Sequence, residues 1–115
     1  MTRGNLTPAE IGTERLRGIL GHDPNISEKK MFGGSAFMLN GNMLCGFTSK
    51  GRFMVRIGRD LEAEARKLPG AQDMDFNGRK MGGMLFVDDG AIADTLALEK
   101  WIALATRFVG ALPAK

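Results

Sequence analysis

The chain has 115 residues, of which 43% are hydrophobic and 25% are charged, a composition typical of one globular domain spanning residues 1–115. Its formal net charge of +3 is too small to predict a nucleic-acid partner, and its single cysteine excludes an internal disulfide bond. Without a signal-peptide core or an apolar run of membrane-spanning length, we expect a cytoplasmic protein with no membrane contact.

The first predicted element is a helix that begins after Thr7. Thr7 can cap this helix, Pro8 suits its first position, and Glu10 completes a capping box. Gly21 is expected to end it in a left-handed conformation. The apolar face of the helix is expected to hold Ile11, Leu16, Ile19 and Leu20.

A β-hairpin is predicted around Asn40-Gly41, which lies between two apolar runs. Both residues tolerate positive φ angles, as the two-residue type I′ turn requires. The strand before the turn is predicted over about residues 28–39, with a bulge, a bend or the close approach of another backbone at Gly33-Gly34. The strand after it is predicted over about residues 42–48.

A third strand is predicted over residues 52–57, because polar and apolar side chains alternate there. The side toward the core is expected to carry Phe53, Val55 and Ile57. The opposite side is expected to be solvated or to face a partner, and it carries Arg52, Met54 and Arg56. Met54 is the best single candidate for an exposed contact.

The second half of the chain continues with a short helix over residues 61–68, capped by Asp60. A strand over residues 74–76, a tight turn at Asn77-Gly78 and a strand over residues 79–87 follow. Asp94 or Thr95 is expected to cap the last helix.

That helix reaches about residue 111, and residues 113–115 are expected to fray. Its buried face is predicted to hold Leu98, Trp101, Ile102, Ala105, Phe108 and Val109. The order α-β-β-β-α-β-β-α predicts an α+β fold of two layers, a mainly antiparallel five-stranded sheet with helices on one face.

Catalytic residues are scarce. His22 is the only histidine and Cys45 the only cysteine, so a small enzyme would have to use one of them. The non-catalytic interpretations are a histidine that interacts with the dipole at the end of a helix and a buried structural thiol. The close pair Asp73 and Asp75 fits an edge strand better than acid–base chemistry. Residues 78–83 combine basic side chains with glycines, a pattern that allows contact with an anion. A strand with a bulge is the alternative interpretation of the same residues. We expect no catalytic site, cofactor or metal.

Two features favour binding. From residue 29 to residue 59 every charged side chain is basic, and seven of the eight methionines lie between residues 31 and 84 on predicted strands. Methionine fills irregular cores but is also frequent at adaptable protein-binding surfaces. The candidate contact residues for a protein, or for weak and salt-sensitive nucleic-acid binding, are Lys29, Lys30, Arg52, Met54, Arg56, Arg79 and Lys80. Unpaired sheet edges and methionine-rich faces also allow a homodimer.

Together with Trp101, three stretches resemble the N-terminal domain of the TfoX/Sxy family in order and spacing: KKMFGGSAFMLNGNMLCGF, RFMVRIG and PGAQDMDFNGRKMGGMLFVD. The resemblance covers about residues 16–108. It implies a bacterial protein, a fold similar to that of secretion chaperones, and regulation of competence genes together with the catabolite-activator protein and the transcription machinery. It implies no catalytic residues. Because the sequence ends after this domain, we expect a stand-alone TfoX-N-like protein that acts by protein–protein contact.

Overall fold

The computed structural model describes residues 6–76 and 78–115, and in that part of the chain six strands and three α-helices form an α+β fold. The strands are β1 (Ile26–Met31), β2 (Gly34–Leu39), β3 (Asn42–Phe47), β4 (Phe53–Arg56), β5 (Ala71–Phe76) and β6 (Arg79–Val87). The helices are α1 (Pro8–Leu20), α2 (Glu62–Ala65) and α3 (Thr95–Val109), with a short 3₁₀ helix at Asp89–Ile92. Every strand pair is antiparallel, in the order β1-β2-β3-β4-β6-β5, which confirms the predicted fold class.

The sheet has six strands instead of the predicted five, because residues 28–39 form a hairpin. Its two-residue turn is Phe32-Gly33, with φ angles of 55° and 75°, and Met31 pairs with Gly34 across it. The predicted bulge was therefore wrong, whereas the alternative of close approach by another backbone is confirmed, because a Cβ atom at Gly34 would collide with the Phe47 carbonyl oxygen. A phenylalanine with positive φ is uncommon, so the sequence pattern did not indicate a turn at this position.

The hairpin predicted at Asn40-Gly41 is confirmed. The two residues have φ angles of 53° and 84°, and they join β2 to β3. The second predicted turn, Asn77-Gly78, includes Asn77, which lies outside the described residues. The strands on either side of it, β5 and β6, pair antiparallel as predicted, although β5 begins at Ala71 and not at Met74.

The ends of α1 combine one confirmed prediction and one error. The capping box is present, because the Thr7 hydroxyl accepts a hydrogen bond from the Glu10 amide at 3.2 Å and the Glu10 carboxylate accepts one from the Thr7 amide at 2.8 Å. Gly21, however, has a right-handed conformation with φ −65°. Its amide donates to the Arg17 carbonyl, so the helix ends without a left-handed residue.

Two further predictions about the ends of elements, and one about burial, were wrong. Asp60 does not cap α2, which begins after Leu61 without a side-chain cap and is four residues long. The final residues are held and not frayed, because the Lys115 amide donates to the Asn40 carbonyl at 2.8 Å. Ile11 is 48% exposed, since Gly12, on the buried face of α1, makes the close contact with the Phe47 ring. The prediction of an Asp94 cap is confirmed by its hydrogen bond from the Leu96 amide.

All the helices of the main core pack on one face of the sheet. One row of paired residues crosses all six strands on this face: Glu28, Phe37, Cys45, Val55, Leu85 and Asp73. Its four apolar members are buried in one cluster with Leu16 of α1 and with Leu98 and Trp101 of α3. This layer supplies most of the apolar burial that stabilises the fold.

Candidate functional site

The other face of the sheet carries a second apolar cluster. The adjacent row of paired residues, which points away from the helices, consists of Lys29, Ala36, Gly46, Met54, Phe86 and Gln72. The buried members of the cluster on this side are Ala36, Met54, Met74, Met84 and Phe86. Among the described residues, no helix residue belongs to this cluster. We call this surface the open face.

The open face contains every methionine of the described residues. Three of them are buried within the cluster, and four others are half-buried around it, namely Met31, Met38, Met43 and Met81. Met38 and Met43 lie directly opposite each other on β2 and β3. The sequence located the methionines on strands but did not reveal that all of them share a face. Correct assignment of the β1–β2 hairpin would have shown it, because alternation then places Met31, Ala36 and Met38 together.

Met54 is fully buried, at 0% exposure, so the prediction that its side chain is exposed was wrong. The opposite residue on β3 is Gly46, and the Met54 ε-methyl group lies 3.0 Å from the place that a Cβ atom would take there. The long thioether side chain therefore lies flat on the sheet beside a glycine. The half-buried methionines form the accessible layer of this face instead.

Two of the predicted basic contact residues lie on the open face. Lys29 is exposed at the edge, in the same row as Met54. The Arg52 guanidinium lies 3.8 Å above the centre of the Phe86 ring and donates a hydrogen bond to Gln72 at 3.1 Å. These contacts hold a cation directly over the apolar surface.

The remaining basic candidates do not join this face. Lys30 points to the helix side, where it lines a groove of about 690 Å³ between α1 and the β1–β2 hairpin. Arg56 pairs with Met84 of the open-face cluster, but its guanidinium lies 5.5 Å from the ring centre of Phe108, which belongs to α3. Lys80 lies 3.5 Å from the Asp73 carboxylate, and Arg79 is exposed in the β5–β6 hairpin. The six basic candidates thus lie in four separate places.

The groove beside α1 is dominated by a structural ion pair. The Arg17 Nε and Nη2 groups each donate a hydrogen bond of 2.8 Å to the Glu28 carboxylate, one to each oxygen, which ties α1 to β1. This pairing lowers the pKa of Glu28 and raises that of Arg17. The pKa of Glu10 is also lowered, chiefly by the Thr7 amide in the capping box. The charges of Arg17 and Glu28 thus hold the helix on the sheet, and that of Glu10 stabilises the first turn of α1.

Cys45 and His22 lie in different environments. Cys45 is completely buried, and burial raises the pKa of its thiol to about 12. His22 is exposed in the turn after α1. Neither residue lines the groove beside α1. Within the described residues, no three His, Cys, Asp or Glu side chains are grouped to hold a metal ion, and no helix is long and apolar enough to span a membrane.

A family model described as the TfoX N-terminal domain matches residues 18–109, most of the chain. The chain belongs to the TfoX N-terminal domain family. This confirms the resemblance found in the sequence, and the TfoX N-terminal domain family is associated with competence regulation. No curated protein and no solved structure matches the chain. The likeness of this TfoX N-terminal domain to secretion chaperones therefore stays a prediction.

Proposed function

We propose that this TfoX N-terminal domain is a non-enzymatic regulatory module that binds another protein through its open face. The observation that carries the proposal is the gathering of all the described methionines on the sheet face that no described helix covers. Methionine side chains are flexible and polarisable, so such a surface can adapt to an apolar partner. Exposed or half-exposed apolar surface of this kind is typical of interaction sites.

The proposed partner is a protein segment that combines apolar side chains with carboxylates. Its apolar side chains would pack on Met31, Met38 and Met43, and its carboxylates would pair with Lys29 and Arg52. Charge complementarity supports this choice, because the row of paired residues on the open face begins with the basic Lys29 at the sheet edge. The row on the helix side of the sheet instead ends in the carboxylates of Glu28 and Asp73. Membership of the family suggests a component of the transcription machinery, in the cytoplasm of a bacterium.

Affinity purification with three baits tests the proposal. The baits are the wild-type protein, Met38→Glu on the open face, and the matched control Leu96→Glu, whose side chain is 71% exposed on α3. We expect a partner that is retained by the wild type and by Leu96→Glu but lost with Met38→Glu. Identification of polymerase or a transcription activator, followed by binding of the purified proteins, would support regulation. Equal loss with both variants would contradict the use of the open face.

Nucleic-acid binding is the second candidate, because Lys29 and Arg52 have no acidic partner among the described residues. Titration with duplex DNA at two salt concentrations distinguishes the two functions. Phosphate contacts weaken steeply as salt rises, whereas methionine packing does not. Sedimentation at two protein concentrations tests the third occupant of the face, which is a second copy of the chain.

A further inference from the structure

A second groove, of about 330 Å³, lies at the end of the sheet, where the chain leaves β4 and meets an irregular part of β6. The Gly83 carbonyl accepts hydrogen bonds from the amides of Ile57 and Gly58 at 2.8 and 2.9 Å. Gly58 and Gly83 both have a φ angle of +80°, which disfavours any other residue. We call this the end groove. Its floor is therefore glycine backbone without side chains.

Two guanidinium groups that have no hydrogen-bond acceptor among the described residues line the end groove. Of the eight arginines in the described part of the chain, five donate a hydrogen bond to a carboxylate, an amide or a carbonyl oxygen: Arg15, Arg17, Arg52, Arg66 and Arg107. Three arginines have no such acceptor there, and two of these, Arg56 and Arg59, lie in the end groove. Unpaired arginines therefore concentrate at one place.

Close packing positions both groups. A Cβ atom at Gly82 would come within 2.8 Å of the Arg59 Nη2 atom, so the missing side chain leaves room for the guanidinium against the backbone. The Arg56 guanidinium lies 5.5 Å from the Phe108 ring, which also packs against Gly58. The two guanidinium groups thus lie beside glycine backbone, which the side chain of any other residue at these positions would cover.

We propose that the end groove binds the terminal phosphate of a small phosphate monoester between Arg56 and Arg59. A guanidinium group pairs with phosphate oxygens in a planar, two-point geometry, and two such groups match the nearly double charge of a monoester at neutral pH. Asp60 also lines the groove, and its negative charge opposes any anion there, so both arginines are needed to make the site attractive to phosphate. This site is separate from the open face and does not depend on its function.

Titration of the ¹⁵N-labelled protein with inorganic phosphate at constant ionic strength tests the site. We expect saturable shifts at the amides of Gly58, Gly82 and Gly83. Arg59→Gln should weaken the apparent affinity by about tenfold, the loss of one charged hydrogen-bonding group. Arg79→Gln is the matched control, because it removes the same charge from an unpaired arginine outside the groove, and it should leave the affinity unchanged within about twofold.

A second variant guards against a folding artefact. A Cβ atom at Gly82 would meet only the flexible end of Arg59, so Gly82→Ala should also weaken phosphate binding. Thermal unfolding of Arg59→Gln and Gly82→Ala checks that both variants are folded. Shifts that do not saturate at millimolar phosphate would overturn the proposal, as would equal weakening by Arg59→Gln and Arg79→Gln. Tighter binding of a single-stranded oligonucleotide to the same amides would also overturn it, because the ligand would then be a phosphodiester.

Discussion

Raising the pH should destabilise this protein through its only cysteine. Cys45 lies in the middle of the sheet at 0% exposure, between Phe37 and Val55 on the neighbouring strands. Burial disfavours the thiolate and raises the pKa of Cys45 from 9.0 to about 12. In the unfolded chain the thiol ionises near its ordinary pKa. The contribution to stability is therefore complete below pH 9 and is lost as the pH rises from 9 toward 12.

The expected magnitude follows from the difference between the two pKa values. Each pH unit above the unfolded pKa lowers the free energy of unfolding by about 1.4 kcal/mol while the folded thiol stays protonated. At about pH 10.5 the loss is therefore about 2 kcal/mol. Lysine side chains also ionise in this range, so the wild type alone is not sufficient to measure the effect.

Cys45→Ala provides the necessary control, since it keeps the lysines and removes the thiol. Urea unfolding of both proteins at about pH 7.5 and pH 10.5 gives the free energy of unfolding in each case. We expect the stability of the wild type relative to Cys45→Ala to fall by about 2 kcal/mol between the two pH values. An identical pH dependence of the two proteins would refute the reasoning. It would mean that the thiol ionises in the folded state, and Cys45 would again be a candidate nucleophile.

Two further outcomes test the packing of α1 and the end of the chain. Gly12→Ala should destabilise the protein by about 1 to 2 kcal/mol, because its Cβ atom would come within 2.5 Å of the Phe47 ring. A Cβ atom at Gly18 of the same helix would meet nothing within 4 Å, so Gly18→Ala should stabilise the protein by about 0.5 to 1 kcal/mol. Equal urea midpoints for the two variants would contradict the helix register. Asn42→Ala removes a 2.9 Å hydrogen bond to the final segment and should cost about 1 kcal/mol, with faster hydrogen exchange at the Lys115 amide; unchanged exchange there would contradict the proposed anchoring.

Local chemistry made several elements predictable from the sequence. The capping box of α1, the Asn40-Gly41 turn and the bounds of β6 depend on neighbouring residues alone, and each is confirmed. The β1–β2 turn was not predictable in this way. Phe32 takes a positive φ angle that its own side chain disfavours, so the surrounding sheet must determine it.

The candidate site depended on long-range structure and was predicted only in part. Alternation correctly placed Met54 on the side opposite Val55, but exposure depends on what lies on the next strand. Gly46 opposite Met54 leaves room for its side chain to lie flat and become buried. Lys29 and Lys30 are consecutive residues of β1, so alternation alone separates them, but the sequence did not show which of the two faces the helix side.

The central claim is that the open face is the surface that binds a protein partner. Its most direct test is a spectrum of the protein labelled with ¹³C at the methionine methyl groups, recorded with and without the partner recovered by affinity purification. We expect the half-buried methionines, Met31, Met38, Met43 and Met81, to shift, and the Met38→Glu variant to bind more weakly than Leu96→Glu. Binding that leaves the methionine signals unchanged and is abolished by Leu96→Glu would contradict the claim.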